Sequence, residues 1–195
     1  MNKTNETTPE VLEETVSKPH GTAAVCYDIV SIIVTAALII AILFTFFFRM
    51  SGVNGPSMEP TLHTGDWLVI SQLGKDAAPS YGDVVVISQP NEFGENIVKR
   101  VIATEGQTID INFKNGNVIV DGKVLKEKYI KNDTTTEFDM RFPLVVPKGY
   151  CFVMGDNRQD SLDSRSTRVG LIRNDYILGT AVRASTSEGF VPLSV

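Results

Sequence analysis

The sequence has few of the residues that bind metal ions or cofactors. Its 195 residues include two cysteines and two histidines, which lie too far apart for any zinc-binding spacing. It also lacks a glycine-rich phosphate loop. We therefore expect no metal and no cofactor. Cys26 borders an apolar run and Cys151 lies in a strand-like segment, so we expect two separate buried thiols rather than a disulfide.

The chain also lacks an excess of positive charge. It carries 18 Lys and Arg against 23 Asp and Glu, a net charge of -5, and the cations are scattered. Proteins that bind nucleic acid concentrate cations to neutralise phosphates, so nucleic acid is not an expected partner. A hydrophobic content of 43% and a charged content of 21% suit one compact domain with an accessory segment.

An uncharged apolar run covers residues 29–48, between Asp28 and Arg49. As a helix, its 20 residues would span roughly 30 Å, the thickness of a bilayer's hydrocarbon core. A buried core helix should show a polar face, and a removable signal peptide has a shorter apolar region and a small-x-small cleavage site. This run has no polar face, is longer than a signal peptide's apolar region and is not followed by a clear cleavage site. We therefore predict a transmembrane anchor over residues 25–49, preceded by a disordered Thr- and Glu-rich tail, residues 1–24. The cations near its ends, Lys18 and Arg49, do not decide its orientation.

Beyond the anchor, short β-type runs alternate with turn residues. They predict strands at 67–71, 84–88, 97–103, 108–113, 118–120, 150–154 and 177–184. Asn115-Gly116 and Asp121-Gly122 favour tight turns with positive φ. The predicted fold is therefore mostly β: one N-terminal transmembrane helix, then a β-rich domain over residues 50–195. The charged, Thr-rich segment 123–142 is interpreted as an excursion from its sheet.

The segment Gly55-Pro56-Ser57-Met58-Glu59-Pro60 follows the apolar run closely. A serine between prolines is most often a turn residue, but Ser57 could be a nucleophile if a base lies nearby. His63 is one candidate base. Another is Lys99, on the predicted strand 97–103, because a buried lysine can lose its proton. The alternative for Lys99 is an edge strand that carries cations against aggregation.

A third segment, Gly155-Asp156-Asn157-Arg158-Gln159-Asp160-Ser161-Leu162-Asp163-Ser164-Arg165, follows a predicted strand and alone would be interpreted as a polar loop. Together with Gly-x-Ser-Met-x-Pro-Thr after an anchor, Lys-Arg-Val-Ile on a strand and Tyr-Gly-Asp-Val-Val-Val from position 81, it resembles the type I signal peptidase family. These are membrane-bound serine peptidases with a Ser-Lys dyad. The resemblance implies a catalytic domain of coiled antiparallel sheets.

The resemblance also implies roles for individual residues. Ser57 would be the nucleophile, Lys99 the general base, and Ser161 the hydroxyl that orients the lysine amine. The expected ion pairs are Asp156 with Arg100 and Asp163 with Arg165. Gly155 and Asn157 would shape the loop. From their residue types, Gly55 lets the backbone turn, Pro56 stiffens the segment, and Met58 is an apolar surface for docking or for core packing; we assign all three to substrate binding.

In two places the chain departs from the family pattern. Some relatives carry a serine that helps the oxyanion hole where this chain has Gly55, so the hole would depend on backbone N–H groups, mainly that of Ser57. After the lysine strand, Ala103-Thr104-Glu105-Gly106-Gln107 replaces the usual Gly-x-Pro-Gly-Asp. The first departure affects the oxyanion hole and the second affects only a local turn.

The resemblance implies preprotein signal peptides as substrates, cut after a small-x-small motif. Because Ser57 follows Phe48 by nine residues, at about 3.3–3.6 Å each, it would lie within roughly 30 Å of the lipid bilayer. Cleavage follows translocation, so we expect a single-pass protein of the cell membrane, with a cytoplasmic N-terminus and an extracytoplasmic catalytic domain. Two alternatives are a self-cleaving repressor-type Ser-Lys peptidase and a membrane-tethered β-rich binding module.

Overall fold

The computed structural model describes residues 21–72, 78–88, 94–186 and 189–193. The chain forms two units, Met1–Ala41 and Ile42–Val195, so the division falls within the predicted anchor. Most of the predicted disordered tail, residues 1–24, lies outside the described residues.

The first unit contains most of an apolar helix, α1 (Thr22–Phe47). Its part Thr22–Thr45 is long and apolar enough to cross a membrane, and none of this span is buried within the protein. The helix begins before the predicted run because residues 22–28 carry a single charge, Asp28, and continue the apolar surface. Cys26 is exposed on this helix, so the expectation that it is a buried thiol is wrong.

The second unit is built from strands, which confirms the predicted mostly β fold with one N-terminal apolar helix. Within the described residues, the strands are β1 (Phe48–Gly52), β2 (Trp67–Ser71), β3 (Val84–Ile87), β4 (Ile97–Thr104), β5 (Thr108–Asn112), β6 (Asn117–Val120), β7 (Lys123–Val124), β8 (Leu144–Val145), β9 (Tyr150–Met154), β10 (Ile172–Arg173), β11 (Ile177–Thr186) and β12 (Gly189–Pro192).

These strands form two antiparallel sheets. The larger has the order β1-β2-β11-β3-β4-β9-β10, with β12 paired to β11, and the smaller has the order β7-β6-β5-β8. Register shifts interrupt β4 between Val101 and Ala103 and interrupt β11 twice. Such bulges bend a strand and increase its twist.

All seven predicted strands are present, and the sequence analysis missed five others, β1, β7, β8, β10 and β12. β1 was assigned to the end of the anchor because its first residue, Phe48, continues the apolar run; its pairing with β2, Met50 opposite Val69, makes it a strand. β7, β8 and β10 have two residues each, too few to show an alternating pattern.

The turn prediction at Asp121-Gly122 is confirmed. Val120 pairs with Lys123, so these two residues alone connect β6 to β7, and both have positive φ, 51° and 75°. Gly116 also has a positive φ, 76°, although its turn is longer because Asn112 pairs with Asn117.

The excursion leaves the smaller sheet after β7 and rejoins it at β8. Residues 125–143 between these strands contain no helix or strand. We call this segment the strap.

Candidate active site

The segment that carries Ser57 is held in a tight turn after β1. Gly55 has a φ of 96°, a conformation that other residues avoid, and its N–H donates to Thr64 Oγ1 at 3.1 Å. Met58, only 1% exposed, packs into the core with Val53 and Leu62. The half-buried Ser57 is therefore presented by a segment whose next side chain is fixed in the core.

Lys99 lies in the interior of the larger sheet. Its strand, β4, pairs with β3 through Val85 opposite Lys99 and with β9 on the other side, so the edge-strand interpretation is wrong. The side chain is buried, with 4% of the residue exposed. A lysine in this position costs folding free energy, and it is unusual without a paired carboxylate.

The structure brings Lys99 and Ser57 together. Lys99 Nζ donates to Ser57 Oγ at 2.8 Å. Burial lowers the pKa of Lys99 to about 8, against the opposing attraction of Asp163 and Asp156. A serine hydroxyl in contact with an amine that loses its proton near neutral pH can be deprotonated as it attacks a carbonyl carbon.

His63 lies in a different environment. Its side chain is exposed to solvent, and its backbone N–H donates to Asp66 Oδ2 at 2.8 Å. Among the described residues, the hydrogen bond at Ser57 Oγ comes from Lys99 and not from this histidine. The geometry therefore favours the lysine of the two candidate bases.

The neighbouring cation, Arg100, is buried on the same strand but is fully paired. Its Nε and Nη2 donate to the two carboxylate oxygens of Asp156 at 2.9 and 2.7 Å, and Nη1 donates to Gly82 O at 2.8 Å. Thr61 Oγ1 donates to Asp156 Oδ2 at 2.5 Å, and the guanidinium lies 4.2 Å from the centroid of the Tyr129 ring. This pair connects β4 to the loop that follows β9.

A second buried ion pair organises that loop. Arg165 donates to both carboxylate oxygens of Asp163, at 2.8 and 2.9 Å. Asp163 Oδ2 also accepts hydrogen bonds from Gly155 N at 3.0 Å and Ser161 Oγ at 2.8 Å. The Ser161 hydroxyl was expected to bond the lysine amine; in the structure it donates to Asp163, and among the described residues the bond of Lys99 Nζ goes to Ser57.

Gly155 and Asn157 contact the serine segment directly. A Cβ at Gly155 would lie 2.4 Å from Ser57 O and 2.3 Å from Ser161 Oγ, so only glycine fits. Asn157 donates from its backbone N–H to Ser57 O at 3.0 Å and from Nδ2 to Pro56 O at 3.2 Å. These bonds fix the peptide groups on both sides of the Ser57 Cα.

A cleft of about 750 Å³ opens at Ser57 and Lys99. Gly55, Pro56, Ser57 and Met58 line one part of it, and Lys99 lies in its wall. Apolar and polar side chains both contribute; the other lining residues are Ser51, Gly52, Val53, Asn54, Gly94, Glu95, Asn96, Ile97, Val98, Asp160 and Leu162. The cleft is large enough for several residues of an extended peptide.

Sequence reasoning missed contacts of the site with the strap. Tyr129 packs over Arg100, and Glu127 pairs with Arg158 at 2.6 Å. The Arg158 position lies within the third motif, but nothing in the sequence indicated its partner on a charged, Thr-rich segment.

Comparisons with known proteins show the family to which the chain is similar. The family model described as "Signal peptidase, peptidase S26" matches residues 26–185. The chain is 36% identical to signal peptidase I P of Bacillus subtilis subsp. natto over 78% of its own length and 84% of the relative. It is 37% identical to a probable signal peptidase I-1 of a Synechocystis strain, over 75% of this chain and 76% of the relative. A solved signal peptidase I from Enterococcus faecalis V583 covers 52% of the chain and 95% of its own, at 22% identity and a TM-score of 0.40, too distant to add to these matches.

Proposed function

Since the chain belongs to the signal peptidase family, peptidase S26, and is therefore a serine endopeptidase, we propose that it removes signal peptides with Ser57 as nucleophile and Lys99 as general base. The observation that supports these roles is the 2.8 Å contact between Lys99 Nζ and Ser57 Oγ inside a cleft. The lowered pKa of Lys99 adds the chemical requirement, because only the neutral amine can accept a proton.

In the first step, neutral Lys99 takes the hydroxyl proton of Ser57 as Oγ attacks the scissile carbonyl carbon. Collapse of the tetrahedral intermediate breaks the peptide bond, and the Lys99 ammonium gives its proton to the departing amine. This leaves the signal peptide as an ester on Ser57. Lys99 then takes a proton from a water molecule that hydrolyses the ester, and the proton returns to Ser57 Oγ.

The negative oxygen of the intermediate requires hydrogen-bond donors. Gly55 offers no side-chain hydroxyl at this point, so we assign the main role to the Ser57 backbone N–H. Among the described residues, no acceptor is bonded to this N–H. It is therefore available to the substrate oxygen.

The supporting residues hold the Ser57 hydroxyl and the Lys99 amine in position. The Asp156–Arg100 pair fixes the loop against β4 and the Asp163–Arg165 pair organises the loop itself, while Gly155 and Asn157 support the Ser57 peptide group from behind. The role of Ser161 is indirect here: through Asp163 it holds the turn beside the lysine.

The substrate would bind extended in the cleft, with small side chains before the cleavage point. Gly55 and Pro56 present little side-chain bulk at the serine, and the buried Met58 closes the cleft beneath it. We assign Gly55 and Pro56 to substrate contact, while Met58, whose side chain packs in the core, supports the cleft without touching the substrate. A small-x-small motif follows if the pockets beside Ser57 are shallow.

The apolar helix α1 would anchor the enzyme in the cell membrane, where signal peptides also reside. We propose a single pass with the N-terminus in the cytoplasm and residues from about 50 onward outside. Protease added to spheroplasts should then degrade the large domain and leave an N-terminal tag protected. Protection of the large domain would contradict this orientation.

The central test is cleavage of a signal-peptide substrate by matched variants. Ser57→Ala should abolish cleavage, as should Lys99→Arg, because a guanidinium stays protonated. Ser80→Ala and Lys114→Arg change exposed residues and should cleave like wild type. Normal cleavage by Lys99→Arg would refute the dyad and make His63 the base to test. Failure of wild type to cleave would instead favour a membrane-tethered binding module.

A further inference from the structure

The strap, residues 125–143, is fastened to the loop that follows β9 at several points. Lys131 N donates to Asp156 O at 2.9 Å, and Met140 N donates to Arg165 O at 3.1 Å. Arg165 Nη1 in turn donates to Thr136 O at 3.2 Å. The strap therefore covers the loop that supports the nucleophile.

The strap also contributes one partner of an ion pair, Glu127 with Arg158. Arg158 Nη1 and Nη2 donate to the two oxygens of Glu127 at 3.0 and 2.6 Å, and the side chains are 0% and 5% exposed for Arg158 and Glu127. Arg158 Nη1 also donates to Thr134 Oγ1 at 2.7 Å. Two residues of the strap thus hold one guanidinium in a fixed orientation.

The same guanidinium also bonds the loop that follows β9. Arg158 Nε donates to Gly155 O at 2.9 Å. At Gly155 a Cβ would collide with Ser57 O, and Asn157, two residues further on, donates to Pro56 O and Ser57 O. Displacement of the Arg158 side chain would therefore remove one of the bonds that fix the turn beside the nucleophile.

We propose that Glu127 is a positioning residue for the reaction: it orients Arg158, which fixes the Gly155–Asn157 turn and so holds Ser57 Oγ against Lys99 Nζ. This inference rests on the proposed function, because it assigns Glu127 a task in the Ser57–Lys99 reaction. Glu127 acts through Arg158 and does not touch substrate. Among the described residues that line the cleft, none comes from the strap.

This position predicts which kinetic constants change. Glu127→Gln keeps the size of the side chain and removes the charge that orients Arg158. We expect kcat to fall about tenfold, because a small displacement of reacting atoms is enough for that loss, while KM stays within about twofold. Looser packing of the turn would also admit water to Lys99, so the acid limb of the pH–rate profile should move to higher pH.

The matched control is Glu137→Gln, which changes an exposed glutamate of the same strap and should match wild type. Thr134→Val removes only one acceptor of Arg158 and should reproduce a smaller fall in kcat with the same direction of pH shift. It provides the test if Glu127→Gln does not fold. All variants are measured as the full chain in detergent or vesicles, with the folded fraction determined by denaturant titration.

The possible results separate positioning from mere stability. If Glu127→Gln, corrected for its folded fraction, keeps the wild-type kcat and acid limb, the ion pair is only structural and the inference is overturned. With Thr134→Val as the sole folded variant, a wild-type profile overturns it equally. Wild type that cleaves no better than Ser57→Ala would refute the proposed function itself, not the role of Glu127.

Discussion

Replacement of Lys99 by methionine separates catalysis from stability. The variant should be inactive, because the amine that contacts Ser57 Oγ at 2.8 Å is gone. It should nevertheless be as stable as wild type or more stable near pH 7. Methionine fills a similar volume without a charge, and the lysine is 4% exposed in the interior of a sheet.

The size of the effect follows from the pKa of Lys99, lowered to about 8 from 10.5. A difference of this size corresponds to roughly 3 kcal/mol at 1.36 kcal/mol per pKa unit. Between these two pKa values the unfolded chain binds more protons than the folded one, so wild-type stability rises with pH through this window. The full penalty is present below about pH 8 and is gone above about pH 10.5. Loss of the hydrogen bond to Ser57 offsets about 1 kcal/mol of the gain in the variant.

Urea or guanidinium unfolding of both proteins, at about pH 7 and again near pH 10, measures this directly. At the lower pH the free energy of unfolding of the methionine variant should exceed that of wild type by about 0–3 kcal/mol, and this difference should shrink at the higher pH. Other titrating groups contribute equally to both proteins and cancel in the difference. Lys114→Met, at an exposed site, is the control and should stay within about 0.5 kcal/mol of wild type at both pH values.

One result would refute this reasoning. If Lys99→Met is less stable than wild type by more than about 1 kcal/mol at pH 7, and the difference does not change with pH, the lysine is charged and stabilising in the folded state. Lys99 would then be a structural cation, and its assignment as general base would fail.

The cleavage rate should rise with pH through a limb near pH 8, because burial lowers the pKa of Lys99 to about 8 and the amine must lose its proton before it can act as a base. Measurement of kcat/KM between about pH 6 and about pH 10 tests this prediction. A flat profile would contradict it. Gly155→Ala should lower kcat by more than about tenfold, because the new Cβ would lie 2.4 Å from the carbonyl oxygen of the nucleophile. Gly21→Ala, outside the cleft and with nothing within 4 Å, should leave kcat near wild type. Asp156→Asn should cost about 3–5 kcal/mol in denaturant unfolding, because Arg100 would lose its buried counter-charge; a loss under about 1 kcal/mol would mean that water reaches the pair.

The strands were predictable where several β-type residues form a run that turn residues bound. Val84–Ile87 and Tyr150–Met154 are short apolar runs bounded by turn residues, and both are interior strands. Strand β1 could not be found this way, because its identity depends on pairing with β2, about twenty residues along the chain. Pairing over such distances is a tertiary property that local sequence does not carry.

In the candidate site, too, the residues could be predicted from the sequence but some of their contacts could not. The motifs indicated Ser57, Lys99 and the loop from Gly155 to Arg165, and the structure brings these residues together. It does not follow from any motif that Ser161 donates to Asp163. A hydroxyl rotates freely, so its partner depends on which acceptor the folded loop places nearest. Glu127 was missed for a similar reason, because its partner is 31 residues away.

Strand β4 places two buried cations side by side, and their surroundings determine what each can do. Arg100 has a carboxylate on two of its nitrogens and a carbonyl on a third, so its charge is compensated and it can serve only as structure. For Lys99, the bonded neighbour is a neutral hydroxyl, and the carboxylates of Asp156 and Asp163 are both committed to arginines. An ammonium in that position is poorly compensated, which favours the neutral amine. Burial is the main cause of the lowered pKa of Lys99; Asp156 and Asp163 oppose it, and the charge of Arg165, which is paired with Asp163, adds to it.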